Sequence, residues 1–212
     1  MKCGRAAVVS AAAFGGLVWM VERFGRRSGA SRQEAKGLLP GDELVESPLW
    51  ASTRAISIDA PPEAVWPWVV QMGFPPHRAG WYTPYWLDRL MWGDRPRSAE
   101  KVVPELQDLR AGDTVPDSAD WSVYYDVEAA EAPRHLVLHS RRHVFPPLRS
   151  SNFSWSFDLR PEGPDDTRLL VRARVRYSPL WAAPLIDAAI GLGDWVNVSV
   201  MLRGIRRRAT SG

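Results

Sequence analysis

The sequence predicts an α+β domain in which a curved antiparallel sheet is covered by one long C-terminal helix. Residues 113–177 alternate apolar and polar side chains with the period of two that strands show, most regularly over residues 153–159. Residues 181–208 have a helical pattern instead, with expected interruptions near Pro184 and Gly191–Gly193. Burying both apolar faces against each other gives a two-layer domain. The apolar face of the helix is predicted to consist of Trp195, Val198, Leu202 and Ile205.

The composition is that of one globular domain. The chain has 212 residues, of which 45% are hydrophobic and 24% charged, and its single cysteine, Cys3, excludes an intrachain disulfide. The net charge of +3 comes from two basic ends around a net acidic stretch, residues 31–202. A nucleic-acid-binding domain would place lysine and arginine along one face, so we expect no nucleic acid partner.

Residues 6–21 form an uncharged, mostly apolar stretch with basic residues on both sides. As a helix this stretch would span about 24 Å, which approaches the thickness of the hydrocarbon core of a bilayer. We predict a single-pass membrane anchor with Trp19 near one interface, and the orientation stays open. A signal peptide and a soluble docking helix are the alternatives, but no convincing cleavage site follows and a polar face is missing. The expected location is therefore a membrane, most simply the cell membrane.

The predicted organisation has three parts. Residues 1–28 contain the anchor, residues 29–50 form a linker with a short helix, and residues 51–209 form the folded domain. The short helix follows Ser31, because Ser31 and Glu34 have the spacing of a capping box.

The folded domain begins with a strand and two helices and continues with strands. The first helix starts at Pro61–Pro62, and the second covers Pro84–Met91. The last strand alternates arginines with apolar residues, so we expect Arg172, Arg174 and Arg176 to lie on a solvated outer face. The predicted strands are residues 52–59, 113–115, 121–129, 134–141, 153–159 and 169–177.

Four blocks of the sequence carry a family resemblance: Leu39–Val45, Ala51–Gly73 with APPEAVWPW at residues 60–68, Ala79–Tyr82, and Met201–Arg206. These blocks resemble bacterial SRPBCC proteins, which have the START-like helix-grip fold and are often described as polyketide cyclase/dehydrase-like. The resemblance covers roughly residues 30–208. It implies a curved sheet wrapped around the C-terminal helix, with a cavity for a hydrophobic ligand between them. It implies no reaction, because the superfamily includes lipid carriers, hormone binders and cyclases.

An aromatic set is the candidate ligand-binding surface. Indole and phenol rings combine a large apolar area with one polar group, which suits a flat hydrophobic ligand. The same rings could fill the interior instead of lining a cavity, and the sequence leaves both possibilities open. The candidate ligand-binding residues are Trp68, Trp81, Tyr82, Trp86, Tyr125, Trp155 and Phe157.

An enzyme of this kind would need a titratable group facing the cavity, and the candidates for that role are Tyr125, His135 and His139. The alternation of Val123, Tyr125 and Val127 points Tyr125 inward. If the leucines of the next strand face inward, its two histidines face outward.

No metal or cofactor is predicted. His135, His139 and His143 recur every four residues, but four residues of strand separate side chains by about 13 Å, which is too far for one metal ion. The sequence contains no GxSxG, P-loop or GxGxxG pattern.

The leading hypothesis is a membrane-tethered domain that binds a small hydrophobic or lipid-like molecule between the sheet and the C-terminal helix, for transport or sequestration. The first alternative is a cyclase or dehydratase that uses a cavity tyrosine or histidine for proton transfer. The second is a partner-binding module with a filled core. The sequence leaves open the ligand, catalysis, the membrane side, the oligomeric state and the pathway.

Overall fold

The computed structural model describes residues 16, 25–141, 150–178 and 183–211, which form one six-stranded antiparallel sheet and four α-helices. The order of strands across the sheet is β1-β6-β5-β4-β3-β2. The helices are α1 (Arg32–Lys36), α2 (Pro62–Val70), α3 (Tyr85–Trp92) and α4 (Ala183–Ala209). The strands are β1 (Trp50–Ile58), β2 (Thr114–Pro116), β3 (Tyr124–Glu131), β4 (His135–Ser140), β5 (Ser150–Pro161) and β6 (Thr167–Ser178).

The predicted fold class is confirmed, because the curved antiparallel sheet carries the long helix α4 on one face, as in the helix-grip fold. The inner face is continuous across the strands: Leu136 of β4 lies beside Phe157 of β5, which lies beside Val171 of β6. All three side chains are buried in one core with α2 and α4. The alternation in the sequence therefore places an apolar layer on one side of the sheet.

Helix α4 is continuous from Ala183 to Ala209, so the expected interruptions near Pro184 and Gly191–Gly193 are wrong. Proline is tolerated in the first turn of a helix, where its missing N–H has no intrahelical acceptor. Each glycine costs only about 1 kcal/mol, and burial of one side of the helix outweighs this. The buried side consists of Val198, Met201, Leu202 and Ile205.

Two details of the predicted elements change. Trp195 is 38% exposed and does not belong to the buried side of α4, which includes Met201 instead. Strand β3 begins at Tyr124 rather than at residue 121. Trp121 has a φ of 59°, which is incompatible with a strand. By contrast, α1 is capped by Ser31 and Glu34 as the capping-box pattern predicts.

The outer face of β6 is covered by the chain before β1, so the predicted solvated arginine row is wrong for Arg172. Arg172 is buried and donates hydrogen bonds to the carbonyl oxygens of Glu34, Ala35 and Gly37 and to the carboxylate of Asp42. The covering segment has little regular structure, and guanidinium donors satisfy its backbone carbonyls. The other two arginines also bind this segment but are less buried: Arg174 donates to the carbonyl of Val45, and Arg176 donates to that of Ser47.

The same segment covers the free edge of β1. The backbone N–H of Thr53 donates to the carbonyl of Arg26 at 2.7 Å, and that of Ala55 donates to the carbonyl of Ser28 at 3.3 Å. These bonds satisfy edge groups that would otherwise be open to pairing with another chain. Arg26 and Ser28, at the end of the part that contains the predicted anchor, are thus hydrogen-bonded to the folded domain.

A buried ion pair joins β1 to α4 beneath the helix. Arg54 is 1% exposed and lies beside Val171 on the inner face, where its guanidinium binds the carboxylate of Asp194. The Ser52 hydroxyl donates to the same carboxylate oxygen at 2.9 Å. A buried charge is tolerated when it is paired and hydrogen-bonded, so this contact fixes the helix laterally on the sheet.

The loop before α3 crosses α4 at a glycine. A Cβ atom on Gly204 would lie 2.8 Å from the Cβ of Tyr82 and closer still to the Tyr82 carbonyl oxygen. Tyr82 itself has a φ of 57°, so its backbone has little freedom to retreat. The crossing therefore requires glycine on the helix.

We predict that Gly204→Ala lowers the free energy of unfolding by about 1–3 kcal/mol, because the added methyl group overpacks this crossing. The matched control is Gly193→Ala in the same helix, where an added Cβ would have no atom within 4 Å. The control should be neutral or stabilising by up to about 1 kcal/mol, since alanine favours helix over glycine. Urea denaturation of both variants measures the difference, and equal effects would contradict the crossing.

Candidate functional site

Five aromatic side chains form a contiguous cluster on the inner face of the sheet, which we call the aromatic cluster. Its rings contact one another at centroid distances of 5.1–6.2 Å, in tilted and edge-to-face arrangements that aromatic pairs favour. All five residues are buried. The cluster consists of Trp81, Tyr125, Phe153, Trp155 and Phe157.

Strand alternation and one turn position these rings. Phe153, Trp155 and Phe157 occupy alternate positions of β5 and therefore share its inner face. Tyr125 of β3 pairs with Val115 of β2.

Trp81 is in a loop rather than in a helix or strand. The loop is held by a hydrogen bond of 2.9 Å from the Gly80 N–H to the Gly73 carbonyl. Gly80 has a φ of 87°, and a Cβ there would lie 2.8 Å from the Cα of Ser98, so this position also requires glycine. Two glycines thus direct the Trp81 ring toward Trp155, with a centroid distance of 5.2 Å.

A carboxyl group meets the cluster at Tyr125. The Tyr125 hydroxyl donates a hydrogen bond of 3.2 Å to Asp117, which follows β2 and is only partly buried as a residue. Desolvation of the carboxyl group raises the pKa of Asp117 to about 7, although hydrogen bonds from Tyr125 and Trp81 and the charge of Arg95 oppose the shift. Burial, together with the adjacent Asp117, raises the pKa of Tyr125 well above its ordinary value. The pair can therefore hold or release one proton near neutral pH, and Asp117 is the group that titrates.

The indole N–H of Trp155 is a second polar group in the cluster. Its Nε1 atom is buried and has no hydrogen-bond partner among the described residues. A buried donor without an acceptor costs about 1–3 kcal/mol, and such groups in native proteins require an explanation.

Tyr82 belongs to a separate polar network beside the cluster. Its hydroxyl donates to the Trp68 carbonyl at 2.8 Å and accepts from Gln71 Nε2 at 2.9 Å. Gln107 Nε2 in turn donates to Gln71 Oε1 at 3.1 Å. Burial raises the pKa of Tyr82, so its hydroxyl stays protonated, and both of its hydrogen bonds are made within the protein.

The structure brings together four of the seven predicted ligand-binding residues, namely Trp81, Tyr125, Trp155 and Phe157. The rings of Trp68 and Tyr82 lie next to each other in the same buried core, with 6.0 Å between their centroids. Trp86 is 67% exposed on α3 and lies outside this core.

The two predicted catalytic histidines lie on the outer face of the sheet, opposite the cluster. Leu136 and Leu138 face inward, so His135 and His139 face outward. The ring nitrogens of His139 lie 2.9 Å from Glu128 Oε1 and 2.6 Å from Asn152 Oδ1. His143 lies outside the described residues. Within the described part of the chain, no group of three or more His, Cys, Asp or Glu side chains could hold a metal ion.

Three polar residues near the inner face were missed by the sequence reasoning. The sequence around Asp117 is typical of a polar turn, since Ser118 and Asp120 follow it closely. Arg54 is on strand β1, and the sequence alone does not say which alternate residues of β1 face inward. The burial of Trp50 and Ile58 shows that the even-numbered positions, including Arg54, do. Arg95, whose charge acts on Asp117, comes from a loop with no pattern to indicate it.

No helix in the described portion is both long and apolar enough to cross a bilayer. The predicted anchor, residues 6–21, lies outside that portion.

No family model matches the chain, and no curated protein matches it. Similar solved structures include norcoclaurine synthase from Thalictrum flavum, with 10% identity, a TM-score of 0.49, and coverage of 77% of this chain and 94% of that one. A protein from Mycobacterium smegmatis has 15% identity and a TM-score of 0.46, covering 76% and 91%. A conserved protein from Geobacillus kaustophilus has 16% identity and a TM-score of 0.42, covering 76% and 95%. At these values the likeness concerns the fold alone.

The raised pKa of Asp117 predicts how stability depends on pH. Between about pH 4 and pH 7 the folded protein keeps a proton that the unfolded chain, with a pKa of 3.8, has released. The free energy of unfolding should therefore fall as pH rises through this window. Asp117→Asn should remove this contribution, leaving a flatter dependence.

Asp120→Asn is the control in the same loop. The pKa of Asp120 is lowered to about 2 by hydrogen bonds from Ser122 and Ser118, so Asp120 is ionised in both states above about pH 5. Denaturation at several pH values compares the slopes. An unchanged slope in Asp117→Asn would contradict the raised pKa.

Proposed function

We propose that the protein binds a small hydrophobic ligand with a hydrogen-bond acceptor, in contact with the aromatic cluster between the sheet and α4. The observation that carries this proposal is the buried Trp155 indole N–H, which has no partner in the described part of the chain and lies beside the Tyr125–Asp117 pair. A ligand carbonyl or hydroxyl oxygen would satisfy this donor.

The chemistry of the cluster supports this class of ligand. Ligand sites are mostly apolar with a few polar groups that fix orientation, and here the five-ring cluster includes one indole donor without a partner in the described part of the chain and one tyrosine paired with a carboxyl group. Trp81, Tyr125, Trp155 and Phe157 are the proposed contacts. Trp68 and Tyr82 support them from the adjoining network, since the Tyr82 hydroxyl is already committed to Trp68. Trp86, exposed on α3, is not a proposed contact.

Membership of the SRPBCC family is part of the same proposal, supported by the resemblance of the sequence blocks and by the helix-grip topology. Residues 6–21 are proposed as a membrane tether. Tethering suits a ligand that partitions into bilayers, because it raises the concentration of the protein where that ligand dissolves.

Binding can be tested with prodan, a neutral naphthyl ketone whose fluorescence shifts to the blue on burial. The full chain should bind prodan saturably, and Trp155→Phe should weaken binding by about fivefold to tenfold through loss of a hydrogen bond. Tyr125→Phe should weaken binding by less, because the Tyr125 hydroxyl donates to Asp117 rather than to the ligand. Tyr124→Phe is the matched control, because Tyr124 is the neighbouring residue and is exposed.

Native mass spectrometry of the freshly purified chain gives a second readout, in which a retained hydrophobic mass supports the proposal. If the chain shows no saturable prodan binding and retains no hydrophobic mass, the partner-binding module with a filled core is favoured instead. Equal weakening by Tyr124→Phe and Tyr125→Phe would also count against the site.

Proton-transfer catalysis is the second candidate function, and the pKa of Asp117 near 7 favours it. A general base works best when its pKa lies close to the working pH, and Asp117 is desolvated and hydrogen-bonded to Tyr125. His135 and His139 are not used, because they lie across the sheet from the cluster. In this reaction the Asp117 carboxylate takes a proton from a carbon next to a ligand carbonyl, and the electron pair of the broken C–H bond moves to the carbonyl oxygen to give an enolate.

Deuterium exchange tests this reaction without knowledge of the natural substrate. In D₂O the wild-type chain should accelerate exchange at the carbon next to the prodan carbonyl, with a rate that rises as pH passes through about 7. Asp117→Asn should abolish the acceleration while prodan still binds, and Asp120→Asn should leave it unchanged. Exchange no faster than in buffer, with prodan bound, would reject the catalytic role.

A further inference from the structure

A surface pocket of about 380 Å³ lies where residues 82–85 cross the C-terminal half of α4. It shares no residue with the aromatic cluster and is independent of the proposed function. Four arginines and one glutamate contribute its charged lining. These residues are Arg97, Arg203, Arg207, Arg208 and Glu100, and we call the site the arginine pocket.

Two of the four arginines have structural partners. Glu100 accepts hydrogen bonds from Arg207 Nη2 at 2.9 and 3.0 Å and from Arg208 Nη2 at 2.6 Å. Arg208 is buried and also donates to the Ala99 carbonyl at 2.8 Å. The glutamate therefore ties the loop after α3 to the end of α4.

Arg97 and Arg203 have no acidic partner among the described residues, so their charge in the pocket is not balanced locally. The guanidinium of Arg97 lies over the Tyr85 ring, 4.8 Å from its centroid. Stacking uses the face of the guanidinium and leaves its N–H groups available along the edge. The Arg203 side chain is exposed on α4.

The end of a helix attracts basic residues, but that effect does not explain this pair. Arg206, Arg207 and Arg208 occupy the last turn of α4, where cations stabilise the helix dipole. Arg203 lies before that turn, and Arg97 is not on the helix.

The floor of the pocket is rigid. Tyr82 holds a φ of 57°, its N–H donates to Ser98 Oγ at 3.0 Å, and its carbonyl rests on Gly204. The Tyr82 ring lies under Arg208, with 4.6 Å between the guanidinium carbon and the ring centroid. A fixed floor with an excess of guanidinium groups is the arrangement that binds compact anions.

We propose that the arginine pocket binds the phosphate group of a phosphomonoester. A phosphate carries between one and two negative charges near neutral pH, and its oxygens match the forked donors of arginine. The volume lies at the small end of the range for ligand pockets, which suits a small phosphate ester. Arg97 and Arg203 supply the charge that the phosphate neutralises.

Titration calorimetry on the full chain tests the site, with inorganic phosphate and glycerol 3-phosphate as probes at low ionic strength. Both should bind saturably, and Arg97→Gln/Arg203→Gln should weaken binding at least about tenfold. The matched control is Arg27→Gln/Lys36→Gln, which removes the same charge from a separate pocket of about 440 Å³ on the outer face. The control should bind within about twofold of wild type.

Arg203→Lys is a milder variant that tests the site if the double variant Arg97→Gln/Arg203→Gln fails to fold. It keeps the charge but loses the fork, so a smaller but measurable weakening is expected. The proposal is overturned if the wild-type chain shows no saturable binding. It is also overturned if folded Arg97→Gln/Arg203→Gln binds like wild type, or if the control loses as much affinity.

A short-chain phosphatidic acid identifies the source of the phosphate. Binding no tighter than that of glycerol 3-phosphate supports a soluble ester. Tighter binding that still depends on Arg97 and Arg203 supports the same phosphate site with a lipid headgroup in it. Tighter binding that is insensitive to both residues contradicts the site as the point of lipid contact.

Discussion

Burial of the apolar inner face of the sheet under α2 and α4 is the constraint on which the rest of the structure depends. Exposing that face to water would cost free energy, because five rings on β3, β5 and one loop contribute a large apolar area. Two contacts hold α4 in place: the buried pair of Arg54 and Asp194, and the close crossing of Gly204 and Tyr82. The helix is thereby fixed over the sheet by residues from both layers.

The two faces of the sheet are stabilised by different chemistry. On the inner side the strands contribute apolar rings, and the polar groups among them, Asp117 and the Trp155 indole, stand out because few others are present. On the outer side Arg172 binds backbone carbonyls and Asp42 and so holds the irregular segment before β1. Strand β6 contributes to both layers by alternation alone. Function is accordingly proposed for the inner face, while the arginine at position 172 has a structural explanation.

Much of the fold could be predicted because local patterns determine it. The alternation of β5 and the capping box of Ser31 act over a few residues, and both are confirmed. Features that depend on distant parts of the chain could not be predicted. The continuity of α4 through Gly193 depends on packing against the sheet, and the burial of Arg172 depends on a segment more than a hundred residues earlier. Asp117 was missed for the same reason, since only the pairing of β2 with β3 brings it to Tyr125.

The central claim, that the buried indole of Trp155 belongs to a ligand site, is tested most directly by the nitrogen-15 NMR signal of that indole. Trp155→Phe assigns the signal, and Trp50, whose buried indole nitrogen also has no partner in the described part of the chain, is the internal reference. On saturation with prodan we predict a downfield shift of the Trp155 indole proton, caused by a new hydrogen bond, with the Trp50 signal nearly unchanged. A Trp155 signal that stays in place while prodan is bound, or that moves no more than the Trp50 signal, would contradict the account.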